Sequence, residues 1–449
     1  ELLDTVTNLT EDPKCLLGSF KPGYLALPRE LLVTTMKNHQ KYFSVVGADG
    51  RLLPHFVVAI NTRVFDPAVV ARGNERVLSA RLADAEFFWS SDSKKPLASF
   101  RERLGERVFL KGLGNISDKV ERIVALSRRI AETVGFADLA SVERAALLCK
   151  CDLASEMVGE FPELQGIMGR EYASKQGETP AVSAAIFEHY LPRGASDDLP
   201  SGDIGAIVGL ADRVDSVIGC FSLGMSVSGT QDPYALRRQV LGVMRVLLDR
   251  GYEIGLSTLF SLALDEYASS DFRRLEPRAE VLEVAMGFAR DRFKHLQAET
   301  FPVDVIDAVL EARFDRVDDA LARIRALAEL RSKPEFEPLA IAWKRMANIT
   351  RKNPPAKTAV ETSVLQHDSE RALYDVGARV RAEVIGHLEQ NDYRNALLTM
   401  ITLKPVVDRF FDDVLVMDPD PAVRENRLAL LAEVQSIFGD IANFTAIQT

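Results

Sequence analysis

The chain has 449 residues, 47% hydrophobic and 27% charged, and carries a net charge of −10. That length exceeds what one hydrophobic core supports and predicts two to four domains of ordinary globular composition. No apolar run approaches the roughly 20 residues that span a bilayer, four cysteines are too few for a disulfide scaffold, and the acidic balance excludes indiscriminate nucleic-acid binding while leaving room for a local basic stripe.

The chain opens on Glu1 with no basic-then-apolar leader, and reads as a soluble piece cut from a longer protein. Its first ~115 residues mix short apolar runs with turns. Residues 41–60 (KYFSVVGADGRLLPHFVVAI) predict two strands joined at Asp49-Gly50, because glycine tolerates the positive φ of a tight hairpin. Residues 72–89 instead place Val77, Leu78, Leu82, Ala85 and Phe88 at helical spacing. Arg72, Arg76 and Arg81 lie off that stripe, with Glu75, Asp84 and Glu86 as their expected partners. From residue 117 the pattern is helical. Asp118 followed by Glu121 predicts a capping box, Val120, Ile123, Val124 and Ile130 an apolar face, and Gly135 a helix end.

Further helical stripes cover residues 145–160, 204–223, 233–248, 281–296, 320–330 and 424–441. Breaks are expected at 192–200, 275–277 and 331–338, and at Asn353-Pro354-Pro355, where a residue before proline is forced out of the helix. These signals divide the chain into an α+β domain (1–115), a helical domain (116–255), a helical linker (256–335) and a last helical domain (336–449). The fold class expected is multidomain and predominantly α.

Catalytic motifs are missing. There is no GxxxxGK[ST] phosphate loop and no HExxH. Gly112-Leu113-Gly114 lacks a third glycine and reads as a loop before a helix. Residues 224–228 fail as a nucleophile elbow, since Ser228 stands where glycine is needed. Cys149 and Cys151 have no second pair nearby to complete a zinc site, and are expected to be buried thiols of a reducing compartment.

Several segments together resemble the glycyl-tRNA synthetase β subunit: residues 31–43 (LLVTTMKNHQKYF), 74–89 (NERVLSARLADAEFFW), 150–170 (KCDLASEMVGEFPELQGIMGR), 189–192 (HYLP), 211–219 (ADRVDSVIG), 232–238 (DPYALRR), 336–349 (FEPLAIAWKRMANI) and 410–428 (FFDDVLVMDPDPAVRENRL). The resemblance implies a cytoplasmic α2β2 enzyme in which the smaller α subunit binds glycine, ATP and Mg2+. This chain would then hold tRNA(Gly), with no cofactor or catalytic residue of its own. Neither DNA nor a membrane is implied as a partner. A C-terminal domain like the anticodon-binding helical domain of arginyl-tRNA synthetases is implied for residues 336–449.

The middle region resembles an HD domain that has lost its chemistry. Active HD phosphohydrolases set His, a His-Asp pair and a distant Asp around a divalent metal. Here Cys151-Asp152 stands at the pair and Asp212 at the last Asp, and no histidine lies between His55 and His189. A metal-dependent phosphohydrolase and a purely structural scaffold subunit are the alternative readings.

RNA contacts are expected where Lys and Arg cluster with aromatic and amide side chains. Residues 334–357 carry Lys344, Arg345, Arg351, Lys352 and Lys357 against Glu335 and Glu337. The candidates there are Lys344, Arg345, Asn348, Arg351 and Lys352, followed by Lys404, Arg409, Arg424, Asn426 and Arg427. Trp343 either stacks on a base or fills a core, with the core favoured. In the N-terminal domain Lys37, His39 and Lys41 form a polar segment that faces either RNA or the α subunit. The bland reading of all these charges is a solvated helix surface.

Overall fold

The structure, a computed structural model, describes residues 2–227, 231–268, 275–334, 336–357 and 359–448. Ser228 of the rejected elbow and Glu335 of the basic stretch lie outside the described residues. The chain forms two compact units, Glu1–Met225 with Leu262–Leu275, and Ser226–Ser261 with Glu276–Thr449. Both are dominated by helix. Among the described residues no helix is long and apolar enough to cross a membrane.

Unit 1 begins with α1 (Leu2–Leu9) and a three-stranded antiparallel sheet of order β1-β3-β2, made of β1 (Lys14–Ser19), β2 (Phe43–Val46) and β3 (Leu52–Ile60). The β2–β3 hairpin turns where Asp49-Gly50 predicts, with Gly50 at φ +76°. Between β1 and β2, α2 (Arg29–Thr34) runs into one π-helical turn, Thr35–His39. α3 (Pro67–Asp92) is capped by Asp66, whose carboxylate accepts from the Ala68 amide at 2.9 Å. It buries Leu78, Leu82 and Ala85, but Val77 is 47% exposed and falls outside the stripe expected for it.

Then follow α4 (Arg101–Leu104), α5 (Ile116–Thr133), α6 (Leu139–Leu148), α7 (Glu156–Glu160), α8 (Ile167–Lys175), α9 (Pro180–Glu188) and α10 (Asp203–Ser222). The capping box of α5 lies three residues earlier than expected. Extended Asn115 is the cap, its side chain accepting from the Asp118 amide at 2.9 Å while Asp118 accepts from the Asn115 amide at 2.8 Å. The single helix expected over 145–160 is broken by a 3-10 turn at Cys151–Ala154, after which Ser155 caps α7. Two carboxylates hold that break. Asp152 accepts from the amides of Gly166 (2.5 Å) and Gly169 (3.1 Å), and Asp92 accepts from those of Glu156 (3.1 Å) and Met157 (2.9 Å). α10 is the centre of the unit: every residue but Asp203 and Asp212 is buried. A helix apolar almost all round is a core helix.

Unit 2 contains α11 (Leu236–Arg250), α13 (Arg278–Gln297), α14 (Val303–Ala312), α15 (Val317–Arg331), α16 (Phe336–Lys352), α17 (Asp368–Glu389), α18 (Tyr393–Ile401), α19 (Lys404–Asp413) and α20 (Pro421–Gly439). The intervening α12 (Leu256–Ala268) starts in unit 2 and ends in unit 1. α16 stops at Lys352, where Asn353-Pro354-Pro355 predicts the break. Arg323 on α15 is fully buried and donates to the carbonyls of Val309, Arg313 and Ile441, while Asp319 supplies its counter-charge at 2.8 Å. One buried side chain thus serves three backbone carbonyls inside the unit.

Candidate nucleic-acid interface and a buried charge cluster

α16 has two chemically opposite sides. One buries Leu339, Ala340, Trp343, Met346, Ala347 and Thr350. Trp343 belongs to the core, its ring 4.3 Å from Phe438 and 5.8 Å from Phe444. The other side carries Lys344, Arg345, Asn348, Arg351 and Lys352 at i, i+3/i+4 spacing, which puts them on one helix face. Arg345, Asn348, Arg351 and Lys352 are exposed and Lys344 is half-buried. The Arg345 guanidinium lies 4.0 Å from the centre of the Phe411 ring, and Arg351 donates to the Asn348 side-chain oxygen at 3.0 Å. Among the described residues Arg345, Arg351 and Lys352 have no carboxylate partner. Their charge is available to an anion.

The remaining candidates in unit 2 are more occupied. Lys404 pairs with Asp408, Arg409 with Asp413 at 3.4 Å, and Arg424 donates to the Asp418 carbonyl at 2.9 Å. Asn426 and Arg427 are corrected from RNA contacts to internal ties, because they are only 5% and 2% exposed. The Asn426 side chain accepts from the Glu361 amide (2.7 Å) and donates to its carbonyl (3.1 Å). Arg427 is clamped by Glu370, by Asp418 at 2.7 Å and by the Leu415 carbonyl at 2.9 Å. A guanidinium in helical register with surface residues looks the same in sequence whether a carboxylate or solvent faces it.

In unit 1 the polar segment is anchored from below. Glu163 lies 3.1 Å from His39 Nε2 and accepts from Asn38 at 3.3 Å, while Phe161 meets the His39 ring edge-on at 5.1 Å. Lys41 is exposed, at φ +58°, and donates to the Asn38 carbonyl at 3.1 Å; Lys37 is half-buried. The arginines of α3 do not pair as expected. Arg81 faces Glu160 at 3.7 Å, and Glu75 instead accepts from the Ser19 amide at 2.8 Å.

The residues matched to the HD pattern converge on a buried charge cluster around α10. Asp212 is gripped from both sides, Oδ1 by Lys119 at 2.9 Å and Oδ2 by Lys150 at 2.7 Å. Lys119 also donates to Asp215 (2.9 Å), Ser216 Oγ (2.8 Å) and the Asp212 carbonyl (3.1 Å), and Arg122 donates to Asp215 at 2.6 Å. His189 is fully buried, with Nδ1 2.8 Å from the Ile186 carbonyl and Nε2 2.8 Å from Lys150 Nζ. The carbonyl requires the proton on Nδ1, so Nε2 offers its lone pair to the ammonium. Burial, reinforced by Lys150, pushes the His189 pKa well below its ordinary value and keeps the ring neutral. Burial alone would raise the Asp212 carboxyl; Lys119 and Lys150 outweigh it and hold the group well below the usual carboxylate range.

Asp152 behaves differently. Burial lifts its pKa to about 6 in spite of the Gly166 and Gly169 amides, and its Oδ1 has no partner among the described residues. The buried Cys151 thiol is pushed up to about 12 by burial, and Arg213 is pushed down to about 10 among the carbonyls of His189, Gly209 and Pro192. These groups do not make a metal site. Asp152 spends Oδ2 on backbone amides, Asp212 spends both oxygens on lysines, and among the described residues no three His, Cys, Asp or Glu converge. Lys119, Arg122, Lys150, His189 and Asp215 escaped the sequence reading. The available signal was the i, i+3 pairing of Lys119 with Arg122 and of Asp212 with Asp215 on stripes that are otherwise apolar.

Comparison with known proteins sets these features in a family. Residues 1–311 match the family model for the glycyl-tRNA synthetase beta subunit, and residues 339–449 match that for the DALR anticodon binding domain. The glycine–tRNA ligase beta subunit of Citrifermentans bemidjiense is 46% identical over 446 residues, 99% of this chain and 64% of that protein. Those of Geobacter sp. strain M21 and Geotalea uraniireducens are 45% and 46% identical over the same length and shares. The chain therefore spans 64% of the length of these relatives. With most of its length matched by one family model and a DALR match at its C-terminal end, the chain belongs to the glycyl-tRNA synthetase beta subunit family.

Proposed function

We propose that this chain is the tRNA-holding part of a cytoplasmic α2β2 glycine–tRNA ligase, supporting ATP-dependent attachment of glycine to tRNA(Gly) while glycine, ATP and Mg2+ are bound on the α subunit. The absence of a phosphate loop from the sequence supports that division of labour, as does family membership. The observation that carries the reading is the cationic face of α16, where Arg345, Arg351 and Lys352 meet no carboxylate among the described residues, within the segment matching an anticodon binding domain. Lys344, Arg351 and Lys352 neutralise phosphates and release counterions. Arg345, over the Phe411 ring, is a pre-ordered platform for an unpaired base, and Asn348 presents amide groups to a base edge. Lys404, Arg409 and Arg424 are further candidates in the same unit, each with a local partner to exchange. Lys37, His39 and Lys41 form a second contact, to RNA or to the α subunit.

In this reading residues 1–115, 116–255, 256–335 and 336–449 are successive functional segments, the second an HD-shaped scaffold. The hydrolase alternative requires a converging donor set, whereas both Asp212 oxygens are held by lysines and Asp152 Oδ2 is held by backbone amides. The test is fluorescence anisotropy of labelled tRNA(Gly) with the chain between about 50 and 300 mM KCl. Affinity is expected to fall linearly on a log–log plot. Arg351→Ala with Lys352→Ala should lower the slope by about 1 for each phosphate no longer neutralised, and Arg345→Ala should cost about 1–3 kcal/mol per unstacked base. Salt-independent binding, or full affinity in the triple variant, sinks the proposal. Retention of RNA affinity by Lys37→Ala with Lys41→Ala, coupled to failure to co-purify with the α subunit, assigns the second contact to protein.

A further inference from the structure

We propose that Lys150, with Lys119 beside it, is a tethered cation seated in a ready-made cation site, so that unit 1 carries in its own sequence the positive charge that an ion would otherwise supply. The donors around the Lys150 ammonium are those a small cation seeks. His189 Nε2 lies at 2.8 Å, Asp212 Oδ2 at 2.7 Å, and the Tyr190 ring centre at 4.0 Å. His189 is oriented as a metal-ligating histidine is, with its other nitrogen locked on the Ile186 carbonyl. Lys119 secures the second Asp212 oxygen from the opposite side and joins it to Asp215 and Ser216. Lys150 is 6% exposed and Lys119 4%, so both charges are largely withdrawn from solvent. A flexible surface pair contributes little, whereas a buried carboxylate deprived of its cation is strongly destabilising.

The comparison with a lost ion rests on the HD reading above; the site itself rests on the distances. A tethered ammonium has no dissociation constant to satisfy, which makes the unit indifferent to chelators. It also leaves Asp212 with no oxygen to spare for catalysis.

Thermal unfolding of the full chain tests this. Lys150→Met keeps the bulk and removes the charge, and should lower the melting temperature by on the order of 10 °C. Lys150→Ala removes three carbons and the ammonium, leaving a volume that matches propylammonium. Added propylammonium or Ni2+ should raise its melting temperature by several degrees, with no effect on the wild type or on Lys150→Ala combined with Asp212→Asn. If Lys150→Ala does not fold alone, recovery of its far-UV circular dichroism on refolding with propylammonium is the readout. A Lys150→Met protein as stable as wild type overturns the proposal. So does a Lys150→Ala protein that no added cation restores, or a wild-type chain destabilised by EDTA. Rescue by propylammonium but not by Ni2+ upholds the tethered cation and removes the HD comparison.

Discussion

Asp152 and Asp212 are one sequence motif apart in expectation and opposite in physics. Asp212 is held ionised by two ammonium groups, so its stabilising contribution is present above the ordinary carboxylate pKa and is lost only in stronger acid. Asp152 is fully buried, burial outweighs the Gly166 and Gly169 amides and Lys150, and its folded pKa of about 6 exceeds the ordinary 3.8. The folded state therefore binds the Asp152 proton more tightly between pH 4 and 6, and this contribution is lost as pH rises through 6. His189 acts in the opposite sense, since the unfolded chain protonates first and stability falls below pH 6.5. The difference between wild type and Asp152→Asn cancels the histidine. Relative to the variant, wild type should gain up to about 3 kcal/mol as pH drops from 7 to 4, measured by urea unfolding at stepped pH. A pH-independent difference would show that Asp152 is ionised throughout. None of this was legible in the sequence, where both aspartates read as remnants of one lost site. Their fates depend on whether a lysine or a pair of glycine amides faces them.

Helix faces were legible, and helix breaks only where the cause is local. α16 was legible in part: its cationic face and its stop at Asn353-Pro354-Pro355 are encoded within its own turns, whereas its first residues, 336–338, lie inside the break expected over 331–338. The interruption between α6 and α7 was not, because the groups that hold it come from far along the chain. Asp92, at the end of α3, is fully buried and serves the amides of Glu156 and Met157 and the Tyr172 hydroxyl at 3.1 Å. It thus supplies at long range the N-terminal anion that a helix start favours. Asp92→Ala should strand two buried donors, the Met157 amide and the Tyr172 hydroxyl, at roughly 1–3 kcal/mol each before relaxation, and the half-buried Glu156 amide at less. Hydrogen exchange should show reduced protection at Glu156 and Met157 while the amides of α5 keep theirs. Unchanged protection at those two positions would mean that Ser155 alone caps α7. Asn426 and Arg427 show the same limit on sequence reading, since their register on α20 suits an RNA contact as well as it suits Glu361 and Glu370.

At the scale of the molecule, sequence order and compactness part company. Composition predicts several cores, but a pattern read along the chain cannot show that Leu262–Leu275 returns to the first unit after the second has begun. Tyr267 on this returning stretch is 1% exposed, donates to the Asp215 carbonyl at 2.9 Å, and lays its ring 4.6 Å from the Arg122 guanidinium. Gly219 on α10 makes room for it: a Cβ there would lie 2.3 Å from the tyrosine oxygen. The segment therefore seals the Arg122–Asp215 end of the charge cluster, and a chain stopped at Met225 leaves both charges with thinner cover. Such a truncated chain should melt lower, by on the order of 10 °C, than the same chain with residues 262–275 appended through a short Gly/Ser linker. Tyr267→Ala in the full chain should reproduce much of that loss. If the truncated chain melts with the same temperature and cooperativity as the extended one, the charges of α5 and α10 are held by their own helices, and the returning segment is a passenger rather than part of the core.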